Sequence, residues 1–279
     1  MMNHLMERIY AAAVDRPLKK GTVVAGKYMV KQVLGMGSYG ISYIVVDLIH
    51  NRDVVLKQAR KTKIKLEKGK KAFEYEAKLL HALSHPSIPS LHEVIQNQQG
   101  HFIVMDYMKG RTFEDLIFQE GKTFSEREAL HIVLSILHIT AYFHKEGIVH
   151  RDLRIPNILS ADDEIFIIDF GLARFLHDEP EEIEPDWIEK RLMRAVNVQS
   201  DMYALGHFVL FLLYSSYETK SMVERSWEEE LNLSRDLTNI IRKMLQLDSS
   251  YDKVDSLIQD INHYLNSVEI GRKFDGIIQ

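Results

Sequence analysis

The chain has 279 residues, 46% hydrophobic and 27% charged, enough apolar material for one large domain or two closely packed lobes and too much for a chain disordered throughout. Its longest stretches free of Asp, Glu, Lys and Arg, Ala129 to His144 and Met202 to Tyr217, are 16 residues each, short of the roughly 20 apolar residues that span a bilayer. A net charge of −5, no cysteine, and Glu7 and Asp15 interrupting the apolar start lead us to expect a cytoplasmic protein with no secretory signal, no stable membrane insertion and no nucleic-acid partner.

Leu5, Ile9 and Ala12 or Ala13 keep a helical spacing that Pro17 breaks, so residues 1–26 read as an N-terminal extension, too short and weakly amphipathic for a membrane anchor and expected to pack on the small lobe or contact a partner. Tyr28 to Leu34, Ile41 to Val46 and Val54 to Ala59 are rich in β-branched and aromatic residues and predict three antiparallel strands. Phe73, Ala77 and Leu80 then predict a helix over Lys70 to Leu83, which His85-Pro86 ends. Strands near Leu91 to Ile95 and His101 to Met105 complete a small sheet. Beyond Lys109-Gly110 the period turns helical, over Glu114 to Phe118, Ser125 to Lys145, Ser200 to Tyr214, Ser234 to Leu247 and Val254 to Asn266, with short apolar runs at Ile158-Leu159 and Ile165 to Ile168. The expected class is α+β, in two lobes hinged near Met105 to Gly110.

Gly35, Met36, Gly37, Ser38, Tyr39 and Gly40 form a glycine-rich run. Glycines let backbone N–H groups approach phosphate oxygens without a side chain in the way. A dinucleotide-binding turn would lead into a helix, whereas Ile41 to Val46 continues as strand, so the run reads as a strand-turn-strand flap or as an ordinary hairpin. More is carried by His150-Arg151-Asp152-Leu153-Arg154-Ile155-Pro156-Asn157, followed twelve residues after Asn157 by Asp169-Phe170-Gly171. Phosphoryl transfer needs a carboxylate for the attacking hydroxyl, oxygen donors for a metal and positive charge for the phosphates, and this segment holds all three kinds. Singly, Asp152 could cap a turn and Asn157 could sit in a loop. In this order they resemble the protein kinase family, in particular the small stand-alone, eukaryotic-like Ser/Thr kinases of bacteria.

The resemblance implies a bilobal protein-kinase-like fold, with an N-lobe over 27–106 (small antiparallel sheet, one main helix), a larger helical C-lobe over 107–266 and a tail over 267–279. It implies ATP with Mg²⁺, or Mn²⁺, and a protein substrate. Asp152 would orient the acceptor hydroxyl, Asn157 and Asp169 would hold the metal, and Arg154 would offset charge on the γ-phosphate. Lys57, in Val54-Val55-Leu56-Lys57, would meet the α- and β-phosphates, held by Glu76 on the helix 19 residues later; Glu74 is the poorer choice by register. The nucleotide would contact Gly35, Met36, Gly37, Ser38, Tyr39, Gly40, Ser42, Val55, Lys57, the gatekeeper Met105, the backbone of Asp106 and Met108, and Leu159. Asp201 would brace the backbone of the catalytic loop, and Leu80, Leu91, His150 and Phe170 would form a regulatory spine.

Several features depart from the family pattern. Arg154 stands where Ser/Thr kinases usually have lysine, which keeps the charge but brings a planar fork. Ser42 and Val55 replace a valine and an alanine over the adenine, an exchange that conserves volume overall. No Ala-Pro-Glu follows Asp169-Phe170-Gly171, Glu189 being only a positional candidate for that glutamate, and the family's later arginine is replaced around Asp252-Lys253. One reduced helix is expected near Met222 to Leu231. Between Leu172 and Gln199 there is no Ser, Thr or Tyr, while Asp178, Glu179, Glu181, Glu182, Glu184, Asp186 and Glu189 put seven carboxylates into twelve residues. These could tether the segment, in place of a phosphate, to Arg151 and to the basic run Arg60, Lys61, Lys63, Lys65, Lys68, Lys70 and Lys71 before the Glu76 helix, could occlude the substrate site, or could, like the basic run, be a solvated charge run. The expected function is an ATP-dependent Ser/Thr protein kinase that also autophosphorylates outside the activation segment; the alternatives are a pseudokinase-like scaffold and a small-molecule phosphotransferase on the same fold.

Overall fold

A computed structural model describes residues 14–37, 40–178, 187–218 and 225–275, with side chains through 268. The chain divides into two compact units, 1–109 and 110–279.

The first unit is a six-stranded antiparallel sheet with helices. Its strands are β1 (Val23–Val24), β2 (Tyr28–Met36), β3 (Gly40–Asp47), β4 (Arg52–Ala59), β5 (Leu91–Asn97) and β6 (Gly100–Asp106), in the order β1-β2-β3-β4-β6-β5. The period of two sorts the side chains between faces. Ile41, Tyr43, Val45, Val54, Leu56, Phe102 and Val104 point into one buried core. The opposite face carries Ser42 across from Lys57 and Ile44 across from Val55, with Val55 and Lys57 in turn opposite Met105 and Ile103. A short helix α1 (Lys61–Ile64) precedes α2 (Glu67–Ala82), which buries Phe73, Glu76, Ala77, Leu79 and Leu80. Helix α2 starts one turn earlier than its periodicity suggests, because Leu66 at its N-cap offers no side-chain hydrogen bond that would mark the start.

Residues 14–26 of the extension pack on the sheet unit. Val23 and Val24 pair with Met29 and Tyr28, and Val24 is fully buried in the core of the sheet. Leu18 packs against that core and donates its N–H to the Tyr43 hydroxyl at 3.0 Å. Asp15, 4% exposed, accepts from the Thr62 backbone N–H at 3.1 Å and its hydroxyl at 2.5 Å. A two-residue strand has no periodicity to read, which is why residues 14–26 looked like a lead-in. The helical spacing over Leu5 to Ala13 lies outside the described residues. Deleting residues 1–20 should lower Tm by roughly 5 °C, since losing one partly buried apolar contact and three part-buried hydrogen bonds costs about 3 kcal/mol; a thermal melt of the truncated chain checks it.

The second unit is mainly helical: α3 (Phe113–Phe118), α4 (Glu126–Lys145), α5 (Ile188–Arg194), α6 (Val198–Tyr214), α7 (Trp227–Leu231), α8 (Arg235–Met244) and α9 (Val254–Asp275). Ser125 starts α4 with a capping box, its side chain accepting from Glu128 N–H while the Glu128 carboxylate takes the Ser125 N–H. Helix α6 is buried on nearly all sides and packs against α4, α5 and α8, with α9 covering α4. Gly206 permits the approach to α8, since a Cβ there would lie 2.9 Å from Leu245 Cδ2. Helix α8 stops at Met244, before the expected Leu247, as Gln246 turns to φ +55°; α9 runs past the expected Asn266. Of the reduced helix expected near Met222 to Leu231, Trp227–Leu231 is present and residues 219–224 lie outside the described part.

Short strands carry the loops that matter. β9 (Ile158–Ala161) and β10 (Glu164–Ile167) form a hairpin with Ile158 opposite Ile167, β7 (Arg111–Thr112) adds to β9, and β8 (Ile148–Val149) pairs with β11 (Arg174–Phe175). The two-residue strands and α5 are too short for a periodic signal and were not expected. Among the described residues no helix is long and apolar enough to cross a membrane.

Candidate active site

In the first unit the strand lysine and the helix carboxylate meet. Lys57 Nζ lies 2.5 Å from Glu76 Oε1, with both side chains largely buried at 14% and 7% exposure. Glu74 instead faces solvent, 3.9 Å from Lys70 one turn away. The register explains the choice: Glu76 shares the buried stripe of α2 with Phe73, Leu79 and Leu80, and Lys57 points away from the sheet core.

The glycine run is a hairpin between β2 and β3. Gly35 and Met36 end β2, Gly40 begins β3, and Gly37 donates its N–H to Gly40 O at 2.9 Å. Ser38 and Tyr39 lie outside the described residues. Only Gly40 is demanded by its neighbours, since a Cβ there would sit 2.8 Å from Gln58 O, whereas Gly35 has open space around it. Arg60 Nε holds the flap by donating to Gly37 O at 2.8 Å. Ser42 and Val55 are half-buried on the face that carries Lys57.

At the end of β6, Met105 is buried. The Asp106 N–H is already donated to Ser90 O at 3.1 Å, and its carboxylate accepts from Ser90 N–H at 3.0 Å and pairs with His92 Nε2 at 2.7 Å. This narrows the expected role of the Asp106 backbone, because its N–H is not free for a purine. Met108 follows the strand, outside regular secondary structure. Leu80 is buried on α2 and Leu91 begins β5 half-buried.

In the second unit the catalytic-loop motif folds around two aspartates. Asp201, in the first turn of α6 and fully buried, accepts from His150 N–H at 2.9 Å, from Arg151 N–H at 2.7 Å and pairs with His144 Nε2 at 2.8 Å. Burial opposes its ionisation, but His144, His150 and the loop N–H groups outweigh it and hold Asp201 below the usual carboxylate range. These bonds keep Arg151 at φ +64°, a left-handed conformation that costs a non-glycine residue about 1–3 kcal/mol.

Asp152, 5% exposed, receives Arg154 as a fork, Nε to Oδ1 at 2.6 Å and Nη2 to Oδ2 at 3.1 Å. Asn157 Nδ2 donates to Asp152 Oδ2 at 2.9 Å and to its carbonyl at 3.0 Å, and Arg194 Nη2 approaches Oδ1 at 3.1 Å. Burial again works against the charge, yet the hydrogen bonds from Arg154 and the positive charge of Arg194 keep Asp152 below its ordinary value. Because Asn157 spends its NH₂ on Asp152, its amide oxygen remains as a donor for a metal. Asp169 is exposed at φ +64°, with Oδ1 accepting from Gly171 N–H at 3.3 Å, and the Ile168 N–H to Asn157 O bond of 2.9 Å places it beside Asn157. An amide oxygen and a carboxylate fit Mg²⁺, which binds one or two protein oxygens and completes its shell with phosphates and water. His150 is fully buried, donates through Nε2 to Ile168 O at 3.2 Å and packs edge-on against Phe170 at 4.6 Å; burial keeps it neutral by lowering its pKa. Leu159 is buried on β9, opposite Thr112.

Arg151 is 1% exposed and donates to two carbonyls, Nε to Arg194 at 2.7 Å and Nη1 to Leu172 at 3.2 Å. Of the acidic run expected to tether it, residues 179–186 lie outside the described part; Asp178 accepts from Phe175 N–H at 3.1 Å, and Glu189 is exposed on α5. Arg194, His144 and Asp15 have no expected site role, and Arg60 is expected only as part of the basic run before the helix. Each acts on a partner 23 to 57 positions away, and no local spacing encodes such a meeting.

A model of the protein kinase domain matches residues 28–253. The chain is 38% identical over 255 residues to the probable serine/threonine-protein kinase YbdM of Bacillus subtilis, covering 91% of this chain and 95% of that protein. It is 31% identical over 257 residues to human NUAK family SNF1-like kinase 1, of whose length it spans 38%. Among solved structures, the PknI kinase domain of Mycobacterium tuberculosis superposes with a TM-score of 0.69 at 20% identity, over 89% of this chain and 99% of that one. The fold of that domain, the family match and the relationship to YbdM agree with the loop built around Asp152 and Asp201: the chain belongs to the protein kinase family and is, by homology to YbdM, a probable serine/threonine kinase.

Proposed function

We propose that the chain transfers the γ-phosphoryl group of ATP to serine and threonine hydroxyls of protein substrates, and that it also phosphorylates itself outside the activation segment. Asp152 accepts the hydroxyl proton as the acceptor oxygen bonds to the γ-phosphorus, and the bond from that phosphorus to the β,γ-bridging oxygen breaks to leave ADP. Lys57, aligned by Glu76, positions the α- and β-phosphates, and Arg154 offsets charge on the γ-phosphate. The Asn157 amide oxygen and the Asp169 carboxylate would hold Mg²⁺, which would neutralise phosphate charge. The faces of Gly35, Gly37, Gly40, Ser42, Val55 and Met105, with Met108 and Leu159, serve the nucleotide.

The observation that carries this reading is Asp152 itself, a carboxylate that burial should neutralise but that surrounding cations keep ionised. The ionised carboxylate, oriented by Arg154 and Asn157, is placed to orient an acceptor hydroxyl and to receive its proton. Mass spectrometry of the protein incubated with ATP and Mg²⁺ tests it, with Asp169→Ala as the comparison. Phosphate on Ser or Thr in the wild type alone supports the reading; no transfer to itself, to protein or to peptide favours the scaffold.

Lys57→Met should lower kcat/KM about 10²-fold or more while shifting Tm by only a few degrees, because the methionine keeps most of the packing of the lysine stem and loses its charge. Steady-state kinetics beside a thermal melt measure both; a variant that unfolds would make Lys57 structural.

A further inference from the structure

Asp152 meets four nitrogen atoms, two at each carboxylate oxygen: Arg154 Nε and Arg194 Nη2 at Oδ1, Arg154 Nη2 and Asn157 Nδ2 at Oδ2. A carboxylate offers about four lone-pair sites. An acceptor hydroxyl can therefore reach it only when one of these partners withdraws, and the two arginines are differently placed to do so.

Arg154 is 48% exposed, and among the described residues its guanidinium hydrogen-bonds Asp152 alone. It can swing into water or toward an anion at small cost. Arg194 is 18% exposed and doubly tied. Its Nη1 donates to the Arg151 carbonyl, while the Arg194 carbonyl accepts from Arg151 Nε, so each arginine holds the backbone of the other. Arg151 is buried and also grips Leu172 O, which joins both ends of the segment 172–194 to the catalytic loop. That segment has no residue that can carry a phosphate ester, so this link exists as soon as the chain folds.

We propose that Arg194 is the fixed positioning residue of the catalytic loop, holding the Asp152 carboxylate in place while Arg154 is the arm that releases it to the acceptor hydroxyl. The proposal rests on the kinase reading above. Arg194 sits at the end of α5, and its contact with Asp152 spans more than forty positions, so it adds to the transfer machinery a residue that the loop motif does not contain.

The test compares wild type, Arg194→Ala, Arg194→Lys, Arg194→Gln and Asp152→Asn, with ATP, Mg²⁺ and a degenerate peptide library displaying Ser and Thr. Arg194→Ala should lower kcat about 10- to 100-fold, the range for a misplaced reacting group, with KM for ATP changed less than about twofold. Arg194→Lys should recover part of kcat and Arg194→Gln none. Hydrogen exchange should quicken in peptides covering 148–158 of Arg194→Ala and stay unchanged in α4. A kcat within twofold of wild type, a parallel change in kcat and KM, a lysine variant no better than glutamine, or unaltered exchange overturns the proposal. Should the alanine variant fail to fold, the lysine and glutamine pair decides. Failure of the kinase reading looks different, since wild type would then show no Asp152-dependent transfer; the exchange comparison alone would judge Arg194.

Discussion

Asp152→Asn is expected to keep nucleotide binding and lower phosphoryl transfer by about 10²- to 10⁴-fold, the range for a lost general base. The carboxylate can take the proton of an alcohol, and four donor nitrogens are already arranged around it. An amide supplies a single acceptor oxygen and turns its NH₂ toward two of those donors, so it loses the base and part of the local order together. Arg154 is half-exposed and rehydrates, which limits the cost to folding. Turnover measured at saturating ATP, beside calorimetric titration with nucleotide, checks both halves. Unchanged turnover would remove Asp152 from the chemistry.

Asp201→Ala should produce the largest loss of stability of any single substitution considered. The side chain satisfies two buried backbone N–H groups and the part-buried His144. Each of the two orphaned backbone donors costs about 1–3 kcal/mol. A total near 4 kcal/mol lowers Tm by roughly 10 °C in a chain of this size. Arg151 would also lose the restraint that keeps it at positive φ, so transfer should fall even below the melting transition. Since the folded pKa of Asp201 is depressed, its contribution is full above the unfolded value of about 4 and is lost as pH falls through the folded one. The gap between wild type and variant should therefore narrow in acid. Thermal melts at neutral and acidic pH measure this, and a Tm within about 2 °C of wild type at neutral pH would reduce Asp201 to a helix cap.

What the sequence determined by itself was whatever depends on neighbours along the chain. Alternating β-branched residues set β2 to β6, and the 3.6-residue stripe of Phe73, Ala77 and Leu80 set α2, from which Glu76 over Glu74 follows as the inward carboxylate. The order of Asp152, Asn157 and Asp169 carried the family, because those residues lie within one loop and the hairpin after it. Tertiary structure decided the rest. Residues 14–26 became part of the sheet unit because Val24 and Leu18 found an apolar core built from strands further along. The Asp106 N–H was taken by Ser90, a partner brought close only by the β5–β6 pairing. Arg151 turned to the carbonyls of Leu172 and Arg194, and Arg194 reached Asp152, across 21 to 43 positions. A charged side chain pairs with whichever opposite charge or dipole the packed backbone delivers, and that delivery is set by helix packing over the whole unit, which no spacing along the chain records.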